Sequence, residues 1–538
     1  MGETFNTNST ATNTHTISRR NFIGAAAVGL GGMALAGLAG CAPKAANGEG
    51  AAQGEGASTS VSWDGEYDVI VCGGGGAGLT AAYSALENGA ESVVVFEKGS
   101  QCGGTTALAE GAIQAAGTSW QKEKGIADDT PDVLFNFWMC DGEGLIDEDL
   151  VRTMADSAAD NVQWMADNFN ITYANVFGAY PTPYLPAEYL KDRIHLIADA
   201  SDPTKTGGAV WITNALKAVK DKGGDVETGV EVASIVMDGS TAAGIATKDG
   251  KNYKANKGVI LAMAGIEHNE ELALQYNPQH YWDLKTQSVI TAPTDTGDGI
   301  VMGIEAGAKT VFHGCVDLLL PTWSYTNNQN PEIPYILVNM RGTRFVREDT
   351  TYAFHCRALF NAAMQEGGAD GATYMIMDKK METSDKMCAW SDNAEGGADA
   401  RKAALADGTL TQADTLEALA EAIGVPAATL SYSVGKWNED CAAGDDTLYG
   451  RVKQLTALDE APFYAWKTVN SNIGAIGGLK INTDAAVLST TGEPIGHLFA
   501  AGANSAGWLG PYYPGSGTCL QGALTWGRVA GKSAATVA

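Results

Sequence analysis

The sequence predicts an α/β fold, and three observations predict it. The apolar run Asp68-Val69-Ile70-Val71-Cys72 has the length and composition of a buried strand, and it leads directly into Gly73-Gly74-Gly75-Gly76-Ala77-Gly78. A helical pattern from Leu79 to Asn88 comes next, then a second strand from Ser92 to Phe96 closed by Glu97. Far along the chain, Leu498-Phe499-Ala500-Ala501-Gly502 is another apolar strand, with a glycine-rich loop and a helix reaching Gly531 behind it. Strands that alternate with helices at this spacing build βαβ units, not a meander of hairpins.

The first forty residues read as an address. Ser18-Arg19-Arg20-Asn21-Phe22 precedes an apolar run of small residues from Ile23 to Gly40, and the run ends Leu38-Ala39-Gly40-Cys41. A twin arginine before a weakly hydrophobic stretch is the pattern of Tat export, and small residues directly before a cysteine form a lipobox. Residues 1–41 are expected to be a Tat signal peptide with Cys41 lipidated, and 42–65, rich in Gly, Ala, Ser and Glu, a flexible linker. A run of mostly Gly and Ala has little hydrophobic drive to span a bilayer. The expected location is therefore the outer face of the cytoplasmic membrane, with peripheral attachment by lipid.

The 538 residues carry 63 Asp+Glu against 35 Lys+Arg, a formal net charge of −28. Sequence-independent affinity for nucleic acid comes from clustered Lys and Arg, so nucleic-acid binding is excluded as a function class. With 18% charged and 45% hydrophobic residues the chain can bury a large core.

The glycine segment carries the first functional signal. Gly73, Gly75 and Gly78 let backbone approach a pyrophosphate at a helix N-terminus, and Glu97, nineteen residues past the last glycine, can accept hydrogen bonds from a ribose. On this motif alone NAD and FAD are both open. The downstream pattern favours FAD: Gly103-Gly104-Thr105-Thr106, a helix from Gly207 to Lys222, strands at Val226–Gly229, Glu231–Met237, Ala242–Lys248 and Gly258–Ala262, and the C-terminal strand, loop and helix. A cofactor clasped from both ends of the chain is a long one.

Cysteine spacing offers nothing to a metal. Cys72, Cys102, Cys140, Cys315, Cys356, Cys388, Cys441 and Cys519 include no C-x-x-C pair, and His268, His280 and His313 show no i, i+4 pairing, so no metal site is expected.

From Tyr67 to Gly531 the chain resembles the FAD-dependent fumarate reductase/succinate dehydrogenase flavoprotein superfamily, and within it 3-ketosteroid dehydrogenases and related enone reductases. The motifs that carry the resemblance are Gly73 to Gly78, Glu97-Lys98, Gly103-Gly104, Thr296-Gly297-Asp298-Gly299, Arg344-Phe345-Val346, Pro462-Phe463-Tyr464-Ala465, Gly477-Gly478-Leu479 and Ala500-Ala501-Gly502. The resemblance implies a split Rossmann-like FAD-binding domain of the GR2/fumarate reductase type, at 66–315 and 475–538, with an inserted α+β substrate-capping domain at 316–474. It also implies a cofactor set that adds Gly76, Ala77, Lys98, Gly103, Gly104, Thr105, Val232, Asp298, Gly502, Asn504 and Leu520 to the glycines and Glu97.

Fumarate reductases of this type hold two carboxylates with His and Arg. At the corresponding positions here stand Leu320-Pro321-Thr322, Gly474, Tyr513-Pro514 and, four residues beyond Glu348, Tyr352 in place of a proton-donating Arg. A dicarboxylate would enter without counter-charges. The 3-ketosteroid dehydrogenases carry Tyr at the proton-transfer position and a C-terminal Tyr-Pro-Gly-x-Gly; this chain has Tyr513-Pro514-Gly515-Ser516-Gly517. The resemblance thus implies that Tyr513 and Gly517 polarise a substrate carbonyl and that Tyr352 transfers the proton. Tyr180, Tyr184, Trp323 and Tyr325 are further candidates for the substrate pocket.

The expected activity is reduction of a C=C bond conjugated to the carbonyl of a small neutral molecule. The expected electron source is an external donor, a membrane quinol-linked cytochrome or an FMN/haem protein. The reverse, dehydrogenase direction, an acid reductase acting on fumarate, urocanate or cinnamate, and a lipoprotein that merely carries flavin stay open.

Overall fold

Val69, Ile70, Val71 and Cys72 are completely buried, apolar on both faces, as a strand in the middle of a covered parallel sheet must be. The structure, a computed structural model, describes residues 61–178, 185–319, 334–384 and 389–537. In chain order the elements that position the site are β1 (Gly65–Cys72), α1 (Gly76–Glu87), β2 (Val93–Glu97), α2 (Gly208–Asp221), β3 (Asp225–Thr228), β4 (Val232–Asp238), β5 (Thr241–Thr247) and β6 (Asn252–Leu261). After them come β7 (Thr310–Leu319), β8 (Tyr335–Asn339), α3 (Tyr352–Gly367), β9 (Thr373–Met377), β10 (Leu410–Ala413), β11 (Phe463–Lys467), β12 (Asn470–Lys480), β13 (Ala486–Leu488), β14 (Pro494–Ala500) and α4 (Thr518–Thr536).

The main sheet runs β3-β2-β1-β6, all parallel, with Val71 opposite Val95 and Ile260. The far side of β6 is shared. Its N-terminal half pairs antiparallel with β5, and its C-terminal end, Val259 to Leu261, pairs parallel with Leu498 to Ala500 of β14. A strand from the end of the chain is thereby inserted beside the first βαβ unit, and the carboxyl ends of β1, β6 and β14 open on one crevice, where such sheets bind ligands.

Helix α4 locks this closure by lying on α1. A Cβ on Gly527 would sit 2.6 Å from the Ala77 carbonyl oxygen, and one on Gly531 would sit 2.2 Å from that of Ala81. Two glycines four residues apart give α4 one bare stripe, and the helix backbones meet along it.

The residues between β7 and β12 form a four-stranded antiparallel sheet, β8-β9-β11-β10, flanked by α3 and a helix at Ala427–Ala443. Its charged core is closed on itself. Arg344 reaches Glu348 at 2.6 Å and Asp446 at 2.9 Å, and Arg451 lies 3.6 Å from Glu348, all four side chains buried. The expected domain divisions, 315/316 and 474/475, fall opposite each other inside one strand pair, because Cys315 pairs with Ala475 and Val316 with Gly474. The inserted region is therefore carried on two paired strands, not on a loose linker. The seven cysteines among the described residues are free thiols.

Candidate active site

A cavity of about 450 Å³ begins at the glycine loop and ends between α3 and the loop before α4. At its first end, Gly73 has φ 106°, and a Cβ there would lie 2.2 Å from the Ala262 carbonyl oxygen. Only glycine lets β1 turn this tightly against β6. Gly75 is the N-cap of α1 and supplies no side-chain cap, so the first-turn amides of the helix face the cavity with their partial positive charge. Glu97 lines the same end, its Oε2 accepting from Gly74 N–H at 2.8 Å and its Oε1 from Gly99 N–H at 2.6 Å. Two backbone amides fix the carboxylate where a ribose hydroxyl can reach its remaining lone pairs.

Of the residues expected to hold a cofactor, Gly73, Gly75, Gly76, Ala77, Glu97, Lys98, Gly103, Gly104, Thr105, Val232, Gly502 and Leu520 line this cavity. Three do not. Gly78 is turned under the loop, where a Cβ would sit 1.9 Å from the Gly73 carbonyl oxygen; its service is to helix–strand packing. Asp298, at the first position of the helix Asp298–Glu305, takes up Lys98 Nζ at 2.7 Å and so neutralises the cation from behind. Asn504 is fully buried away from the cavity; its Oδ1 accepts from Met263 N–H and its Nδ2 donates to the Ala264 carbonyl at 2.7 Å, holding the end of β6 in place.

At the other end three phenol and hydroxyl groups and one glycine converge. Thr351 caps α3 by accepting from Phe354 N–H, which leaves Tyr352 as the first residue of the helix, 1% exposed. Tyr352 Oη lies 3.1 Å from Ser516 Oγ, and its ring stands 6.1 Å from that of Tyr513. Tyr513 Oη accepts from the Cys519 N–H at 3.2 Å. Burial pushes the Tyr513 phenol well above its usual pKa, while the Cys519 and Gly517 amides pull in the opposite direction. A buried, protonated phenol that already accepts from backbone keeps its own proton for donation. Gly517 has φ 97°, and a Cβ on it would lie 2.8 Å from Ile113 and Gln114, so the loop sits directly on the short strand Ala112–Gln114. Tyr352, Tyr513, Ser516 and Gly517 all line the cavity.

The lining has a marked charge asymmetry. Among the described residues Lys98 is the one cationic side chain in it, and no Arg or His lines it, whereas Glu97, Glu110, Glu267 and Asp295 do. Glu267, Asp295 and Ser516 were not identified from the sequence. Glu267 accepts from Ala475 N–H at 2.9 Å through Oε1, while its Oε2 is buried without a partner. Burial, then repulsion from Asp295, pushes its carboxyl up to about 7. Asp295 accepts from Thr105 Oγ1 at 2.5 Å, and burial pushes its carboxyl up to about 6. Single acidic residues in loops carry no periodic signal, so neither could be read from pattern. Ser516 stood within a motif already noted. Tyr180, Tyr184, Trp323, Tyr325, Cys41 and the Leu320-Pro321-Thr322 segment lie outside the described residues.

The model of the FAD binding domain matches residues 68–520. The chain belongs to that family. Digoxin reductase from Eggerthella lenta is 29% identical to this flavoprotein over 97% of each chain. Urocanate reductase from the same species is 30% identical over 88% of this chain and 75% of its own. Among solved structures, the 3-ketosteroid-delta4-(5alpha)-dehydrogenase from Rhodococcus jostii RHA1 has a TM-score of 0.71 at 26% identity, covering 89% of this chain and 99% of that one. The flavoprotein is an FAD-dependent oxidoreductase of the fumarate reductase family. Its residues fit that cofactor: a Cβ on Gly75 would meet only the Gly103 carbonyl oxygen, at 3.8 Å, so the fold leaves the approach to the α1 amides open to a ligand's phosphates.

Proposed function

We propose that this flavoprotein reduces a C=C bond conjugated to the carbonyl of a neutral molecule, an enone, a 3-ketosteroid-like ketone or an unsaturated lactone. The observation that carries the reading is the pairing of Tyr352 with Tyr513 in a cavity whose single cation, among the described residues, is tied to Asp298. The relatives' names offer both digoxin and urocanate as guests. Among the described residues an anion would meet carboxyl groups here and no guanidinium or imidazole, and it would forfeit the charge-assisted hydrogen bonds that make anion binding strong.

FAD, held by Gly73 to Ala77, Glu97 and Gly103 to Thr105, supplies the hydride chemistry when bound. The chain's own residues do the rest. Tyr513 donates a hydrogen bond from its phenol to the substrate carbonyl oxygen, and the Gly517 N–H, which otherwise faces that phenol, joins it there as negative charge develops and the β-carbon is reduced. Tyr352 delivers a proton to the α-carbon, and Ser516 Oγ, 3.1 Å from its hydroxyl, orients that proton and stands next in line to replace it. Apolar Val316, Leu318 and Ile473 close the wall against water.

The chain's Arg19-Arg20 and Leu38-to-Cys41 segments support export by Tat and a lipid tether at Cys41, and the electrons come from an external quinol-linked cytochrome or FMN/haem protein. Among the described residues no helix is long and apolar enough to cross a membrane. The test of direction is stopped-flow absorbance. Dithionite-reduced enzyme should be reoxidised by neutral enones or lactones; if it is not, while saturated ketones bleach the oxidised enzyme, the protein works as a dehydrogenase.

A further inference from the structure

Behind the cavity wall a second set of reactive side chains meets. Val316 and Leu318 of β7 line the cavity, and the alternate residues Cys315 and Asp317 are buried against the helix Pro278–Thr286, which contributes His280 and Asp283. None of the four is more than 6% exposed. One ligating atom from each of His280, Asp283 and Cys315 lies within 4.8 Å of the other two. Cys315 Sγ is 3.5 Å from Asp283 Oδ2 and 3.8 Å from Asp317 Oδ2.

The hydrogen bonds around this cluster leave lone pairs without partners. His280 Nε2 is 2.9 Å from the Glu267 carbonyl oxygen, which can only accept, so Nε2 carries the ring proton and Nδ1 presents a lone pair. That Nδ1 has no hydrogen-bond partner, and neither has Asp283 Oδ1 or Asp317 Oδ1. The second oxygens are held from outside: Asn472 Nδ2 donates to Asp283 Oδ2 at 3.0 Å, and Gln279 Nε2 donates to Asp317 Oδ2 at 2.5 Å. A buried acceptor without a partner is costly, and His280, Asp283 and Asp317 each carry one while neighbouring the same Cys315 thiol. An imidazole fixed by its far nitrogen on a backbone carbonyl, and carboxylates each steadied by an amide, are the surroundings that metal ligands require.

We propose that His280, Asp283, Cys315 and Asp317 form a closed, structural site for a zinc ion. The donor set, one thiolate, one imidazole and two carboxylates with no exposed face, suits a tetrahedral ion of borderline softness. On binding, Zn²⁺ enters while two protons leave, one from the Cys315 thiol and one otherwise shared between the two facing carboxyls, so the filled site carries a single negative charge. The ion pins the helix Pro278–Thr286 to β7 and, through Asn472, to β12. Those two strands carry Val316, Leu318 and Gly474 of the cavity wall and are the arms on which the inserted region is mounted.

The experiment is elemental analysis of the FAD-loaded full chain after expression with added zinc and extensive dialysis. Wild type should retain one zinc per chain, whereas His280→Ala and Cys315→Ser should retain less than about a tenth of that with their flavin absorbance intact. Exchange of zinc for cobalt should give a thiolate-to-cobalt charge-transfer band that Cys315→Ser lacks; this readout in the wild type decides the matter should the variants fail to fold. Wild type that keeps no zinc and shows no such band overturns the proposal in favour of a carboxyl pair sharing a proton. Zinc retained undiminished in both variants overturns it in favour of a metal elsewhere.

Discussion

Tyr352 begins α3 with its phenol turned into the cavity beside Tyr513 and 3.1 Å from Ser516 Oγ. Replacing it with Phe removes one oxygen and its proton and leaves the ring that fills the space. General acid catalysis contributes roughly 10²- to 10⁴-fold, so Tyr352→Phe should lower turnover by that range while the bound flavin spectrum is unchanged. Steady-state rates with an unchanged kcat would remove Tyr352 from the chemistry. Tyr513→Phe should cost about 10²-fold or more through the lost carbonyl contact. The position of Tyr352 was legible because it is counted from Glu348 in a motif, whereas Glu267 and Asp295 were not, since their burial and their repulsion are tertiary facts. Asp141 makes the same point on stability. Both its oxygens are buried without a hydrogen-bond partner at the end of the helix Pro131–Asp141, and burial, then Glu143, pushes its pKa up to about 7. The unfolded carboxyl titrates near about 4, so this group's stabilising proton is fully held below that pH, and stability falls as pH rises toward about 7. Asp141→Asn should raise stability at about pH 8, on the order of 1–3 kcal/mol, and change nothing near about pH 4. Equal gains at both pH values in thermal melts would show that titration is not the cause.

At the scale of the element, the first βαβ unit was readable because periodicity and glycine placement agree with the tertiary structure. The strand predicted at Asp68–Cys72 and the helix predicted from Leu79 match β1 and α1 at the core, with the helix starting earlier, at Gly76, because Gly75 caps it without a side chain. Gly78→Ala would place a Cβ 1.9 Å from the Gly73 carbonyl oxygen, and the purified variant should come without bound flavin, as its absorbance ratio will report. The antiparallel sheet β8-β9-β11-β10 was not readable. Tyr335 to Asn339 are buried on both faces and alternate with nothing, and the ion cluster that fastens them joins Arg344 and Glu348 to Asp446 and Arg451, two pairs far apart in the chain. Glu348 is its hub, with Leu337 N–H and Arg344 Nε both donating to Oε1, at 3.1 and 3.0 Å. Glu348→Gln strands two buried guanidinium groups with one carboxylate between them and should destabilise the fold by about 3–5 kcal/mol in urea titrations. Because Tyr352 follows Glu348 by four residues, through the segment that leads into α3, the same variant should also raise the turnover loss beyond what lower stability explains.

At the scale of the molecule, a chain of net charge −28 presents an acidic surface, and its cavity repeats that sign inside. The class of fold and the cofactor were legible from the two clasping segments, Gly73 to Glu97 and Leu498 to Gly502, because a fold that builds one sheet from both ends of a chain leaves a strand signature at each. The absence of a cationic clamp was expected from the residues at the matched positions, whereas the carboxyl groups that line the cavity among the described residues came only from the structure. If Cys41 is the tether, Cys41→Ser should move the enzyme from the membrane fraction to the soluble one after cell fractionation, with its specific activity retained. The central claim, that this pocket selects its guest by being unable to hold an anion, is tested most directly with one alkene in two forms, as a methyl ester and as the free carboxylate, under the same electron donor. kcat/KM for the ester should exceed that for the acid by at least about 10²-fold, the scale of a lost charge-assisted pair. A carboxylate turned over as well as its ester, or better, would contradict it.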